Sequence, residues 1–79
     1  MSIEVVAGSD TQAFAVATLD YRLTQARTRR DYYRAAADKA AIDGAPVMEQ
    51  LALARAEVLC ESIDLMLARR HRLTSEVED

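Results

Sequence analysis

The sequence holds one cysteine, one proline, two glycines, no tryptophan and only four aromatic residues among its 79. Each scarcity excludes something. A lone Cys60 cannot close an internal disulfide, so a stapled secreted scaffold is excluded and a reducing compartment fits. Two glycines cannot build a glycine-rich phosphate loop. His71 is the only histidine, and no second sulfur accompanies Cys60, so metal-ligand spacings are incomplete. Cys60 and His71 fall on one helix about 16 Å apart, too far for a nucleophile–base pair. No apolar run approaches the roughly 20 residues that span a bilayer. The opening MSIEVVAGSD has no basic region before its apolar patch and does not read as a signal peptide. The expectation is a soluble cytoplasmic protein with no enzymatic activity, cofactor or metal.

What is present points to helices. Hydrophobic residues make up 51% and charged ones 29%, too apolar for a disordered tail, although much of the apolar share is alanine. The net charge of −3 argues against a general polyanion binder. Ser9-Asp10-Thr11-Gln12 has the S-x-x-Q pattern of a capping box, which predicts a first helix over about 10–42. Asp43-Gly44-Ala45-Pro46 predicts the joint, with Gly44 in the left-handed conformation and Pro46 in the first turn that follows. A second breaker-free run predicts a helix over about 47–73, with flexible ends at 1–8 and 74–79. So short a joint makes the helices antiparallel neighbours. The fold class is an all-α, antiparallel two-helix hairpin, completed by dimerisation or by docking on a helical partner.

Both helices have more apolar surface than one contact can cover. Val16, Leu19, Leu23, Ala26, Tyr33, Ala37 and Ala40 form a coiled-coil seam along helix 1, interrupted by Arg30. Phe14, Tyr21 and Tyr32 cluster on nearly the opposite side. On helix 2, Met48, Ala52, Leu59, Ile63 and Met66 can face helix 1. Leu51, Val58 and Leu65 recur every seventh residue on one flank, and Leu53, Cys60 and Leu67 on the other. An antiparallel register turning at Gly44 places Ala37 near Leu51, Ala26 near Ile63 and Leu23 near Met66, pairing small residues of helix 1 with large ones of helix 2. Each aliphatic side chain left wet forgoes about 1.5–3 kcal/mol. The flanks are therefore expected to bury against a second copy or a dedicated partner.

The stretch RTRRDYYR looks at first like a nucleic-acid handle. Arg22, Arg27, Arg29, Arg30 and Arg34 are nevertheless spread around helix 1, with Asp20, Asp31 and Asp38 diluting them. Arg30 falls level with Leu59, where its stem can pack in the seam with its head in water; an acid from a second chain is the alternative. Arg69-Arg70-His71-Arg72 fits a last helical turn, where cations complement the dipole. Nucleic acid is therefore not the expected partner.

At RLTQARTRRDYYRAA, GAPVMEQLALARAE and VLCESIDLMLARRHR the chain resembles the small co-chaperone (E) subunits of type III secretion needle proteins. The likeness is one of layout over most of residues 15–73. It implies a cytoplasmic brace that binds a tetratricopeptide-type chaperone subunit, and with it keeps the needle protein unpolymerised before export. It also implies self-association when that subunit is missing. Carried onto this sequence, the partner surface includes Leu51, Val58 and Leu65, or Leu53, Cys60 and Leu67, with Phe14, Tyr21 and Tyr32 extending it. The resemblance does not choose between the two flanks. A self-assembling helical bundle is the alternative reading, and a small nucleic-acid-binding regulator a third.

Overall fold

A computed structural model describes the backbone of residues 2–78 and the side chains of residues 11–75. Helix α1 spans Ser2–Ile42 and helix α2 spans Pro46–Glu78, and the two pack against each other as an antiparallel hairpin. Forty-one residues at 1.5 Å each give about 60 Å of helix, and the molecule is a rod 64 Å long and 17 × 13 Å across.

The joint forms as its residues require. Gly44 has φ +69°. The Ala45 amide donates to the Ala40 carbonyl at 2.8 Å and the Gly44 amide to that of Ala41 at 3.2 Å. This is a Schellman closure, which satisfies carbonyls that the helix end leaves free. Pro46 then opens α2, where its missing N–H costs nothing.

The seam follows alternating steps of four and three on both helices. Leu19, Leu23, Ala26, Ala37 and Ala40 are buried on α1, and Ala52, Ala56 and Ile63 on α2. Leu23, Ala26 and Ile63 form the central cluster, with Leu59 and Met66 packed on it. Ala26 with Ile63 and Leu23 with Met66 meet in this cluster as the expected register placed them, whereas Leu51, expected near Ala37, is exposed on the flank and Ala52 takes the buried position. The composition of the seam differs from the expectation, because Ala52 and Ala56 supply small residues from α2 as well. The half nearer the joint is thus alanine-rich on both helices, and the larger side chains meet beyond it. Met48 was expected to face α1 and is exposed, because it falls between the seam positions Ala45 and Glu49.

The helix ends also depart from the expectation. α1 does not start at the capping box but runs through it from Ser2. Gly8 costs only about 1 kcal/mol relative to alanine inside a helix, too little to end one alone. Gln12 instead crosses the hairpin, donating from Nε2 to the Leu73 carbonyl at 2.6 Å. α2 continues past Leu73 to Glu78, so Arg69-Arg70-His71-Arg72 is not a last turn and the helix dipole does not account for it. The expectation of flexible ends falls mostly on residues whose side chains lie outside the described set.

Gly44→Ala tests the joint. A Cβ there meets nothing within 4 Å, so only the backbone conformation is penalised. A loss of about 1–2 kcal/mol is expected, or a melting temperature roughly 4–16 °C lower for a chain of this size. An unchanged melting curve would show that the left-handed closure is not needed.

Candidate docking face

Arg70 occupies a seam position in the half of the hairpin away from the joint. Its Nε donates to Asp20 Oδ1 at 2.6 Å. The hydrogen bond to Asp20, and then that residue's charge, raise the guanidinium pKa above its ordinary value. Arg30, the other cation within the seam, keeps its stem largely covered while Nε reaches Asp31 on its own helix at 3.1 Å. That is the snorkelled arrangement expected of it.

Contacts across the seam divide the rod into two sides. On one, Arg55 lies over the Tyr33 ring at 5.6 Å and donates to its hydroxyl at 3.3 Å. On the other, Arg34 Nη2 approaches Cys60 Sγ at 3.4 Å. Side chains seven residues apart stay on one side of such a seam, so these contacts assign whole rows. Leu51, Val58 and Leu65 lie on the Arg55 side. Leu53, Cys60 and Leu67 lie on the Arg34 side.

The Arg55 side contains an open groove. Near the joint a hollow of about 450 Å³ is bordered by Tyr32, Ala36, Met48 and Ala52. A second hollow of about 410 Å³ is bordered by Arg29, Ala54, Val58 and Leu59. Tyr33, Leu51 and Arg55 border both, so the two are continuous. The row beside it is wet: Leu51 is 52% exposed, Val58 65% and Leu65 72%. Tyr32 is 68% exposed and packs edge-on against Tyr33, with ring centroids 5.4 Å apart. Phe14 and Tyr21 are exposed on α1 but border neither hollow, and Gln25 Nε2 donates to the Tyr21 hydroxyl at 2.8 Å. On the Arg34 side, Leu53 is 45% exposed, Leu67 40%, and Cys60 is half-buried.

The structure therefore joins Tyr32 to the Leu51, Val58 and Leu65 row and separates both from Leu53, Cys60 and Leu67. Two features of this face were missed in the sequence. Met48 belongs to the groove rather than the seam, as its place outside the three-and-four alternation signals. Arg55 was assigned no role, although its register opposite Tyr33 follows from Ala26 lying against Ile63. Among the described residues no three metal-ligating side chains converge, and no helix is long and apolar enough to cross a membrane. Comparison with known proteins finds no matching family model, no matching curated protein and no matching solved structure.

Because these side chains support nothing inside the hairpin, Val58→Asp and Leu65→Asp are expected to change its stability by no more than about 0.5 kcal/mol. Thermal melting followed by circular dichroism checks this. Ile63→Asp, which buries a carboxylate in the central cluster, unfolds the chain. A large loss of stability on Leu65→Asp would place that residue in an interface of the chain with itself.

Proposed function

We propose that this chain is a non-enzymatic binding subunit whose docking surface is the groove face bearing Tyr32, Leu51, Val58 and Leu65. The observation that carries the reading is the exposed aliphatic row lying beside an apolar groove on one side of a rod. Burying three such side chains contributes about 1.5–3 kcal/mol each, which gives the row a stabilising role only once something covers it. In the role the resemblance implies, the partner is a tetratricopeptide-type chaperone. The complex holds a type III secretion needle protein soluble and unpolymerised in the cytoplasm until export. The layout of two long antiparallel helices with a Gly-Ala-Pro joint supports that role. A four-helix bundle of two hairpins is the second reading, favoured by the same exposed row.

Co-expression with a tetratricopeptide-type chaperone encoded nearby, read by light scattering, separates the two. A one-to-one heterodimer is expected, lost in Val58→Asp and Leu65→Asp and kept in Leu53→Asp. If both groove-side variants bind normally, this face is not the interface. A homodimer that ignores the candidate chaperone supports the bundle instead.

A further inference from the structure

The groove face carries a charge pattern that selects among occupants. Arg29 and Arg55 border the groove beside Leu51 and Val58. Arg22 precedes Arg29 by one heptad and Arg69 follows Arg55 by two, so both lie on the same side. With Leu23 lying against Met66, Arg22 and Arg69 are nearly level across the seam. The four arginines thus line about 20 Å of the rod. Arg22, Arg29 and Arg69 have no ion pair among the described residues. The one carboxylate bordering the groove is Asp43 at the joint, where it is paired with Lys39 at 3.2 Å. The opposite side carries Asp20, Asp31, Asp38, Glu57 and Asp64 against Arg27 and Arg34, with Asp20 and Asp31 already paired to the seam residues Arg70 and Arg30. Read on α1 alone the arginines are scattered; the hairpin gathers two from each helix onto the groove face without a free acid, and sets five acids with Arg27 and Arg34 on the other.

We propose that the occupant of the groove is an amphipathic helix of a partner protein, with an apolar stripe flanked by carboxylates. This rests on the reading of the groove face as a docking surface and specifies what docks there. The stripe covers Leu51, Val58 and Leu65, while the flanking carboxylates meet Arg22, Arg29, Arg55 and Arg69, whose forked guanidinium groups match carboxylate geometry. A second copy placed face to face sets these arginines against their own duplicates with no acid between them, which is repulsive. Nucleic acid satisfies the arginines but leaves the aliphatic row against phosphate, and Tyr32 is the one exposed aromatic beside that row for bases to stack on.

The test uses two helical peptides of about three heptads, carrying the same leucine stripe and flanked by either glutamate or lysine. Each is titrated against the full chain by fluorescence anisotropy. The glutamate peptide is expected to bind at least about tenfold more tightly at low salt. The difference shrinks as salt rises from about 50 to about 300 mM. Arg29→Glu combined with Arg55→Glu reverses the preference. Arg22→Glu combined with Arg69→Glu repeats the test without disturbing the Tyr33 contact, and circular dichroism confirms that both variants fold. Equal affinity for the two peptides, or a preference unmoved by the reversals, overturns the proposal. If binding is equal yet abolished by Val58→Asp, the docking face stands and its charge selection falls. If neither peptide binds, both fall. Tighter binding to a short DNA duplex or to phosphatidylserine vesicles than to the glutamate peptide also overturns it.

Discussion

Two helices can bury only one stripe each against the other, and here that stripe is thin. Ala26, Ala37, Ala40, Ala52 and Ala56 supply most of the buried positions, leaving Leu19, Leu23 and Ile63 as the large ones. Alanine lets helices approach closely but removes little apolar surface from water. The register set by this seam then determines everything outside it. It brings Arg70 to Asp20, Arg55 to Tyr33 and Arg34 to Cys60. Through those contacts it decides which rows share a face.

The consequence is a rod with two unlike sides. One combines an aliphatic row, a tyrosine and unpaired arginines around a groove. The other is mostly acidic, with half-covered Leu53 and Leu67 set among charges. Apolar residues placed among charges of a single sign tend to stay apart from their own copies and associate with a surface of the opposite sign. A hairpin built this way is suited to docking on a complementary helix and less suited to pairing face to face with itself.

Much of this was legible in the sequence. The joint was, because Gly44 and Pro46 have few conformational options. The register of the central cluster was, because so short a joint leaves little freedom in where an antiparallel partner lies, although near the joint it was Ala52 and not Leu51 that took the seam position. The exposure of Phe14, Tyr21, Tyr32, Val58 and Leu65 followed from their angle to the seam. The helix ends were not, since Ser9 and Gln12 have the chemistry of a cap but nothing before them stops a helix. The basic run at Arg69-Arg70-His71-Arg72 was misread for the same reason, because its role depended on where α2 ended. The sidedness was not legible either: which arginines join which leucines is a property of two helices in register, and each helix taken singly shows them dispersed.

The central claim is that the groove face is apolar yet guarded by like charge. Light scattering of the chain alone, over a series of salt concentrations, tests it most directly. The account predicts weak self-association at low salt that strengthens as the arginines are screened within a Debye length of about 10 Å or less. A tight dimer at low salt, unaffected by dilution or by added salt, would contradict it, because the arginines would then not guard the face.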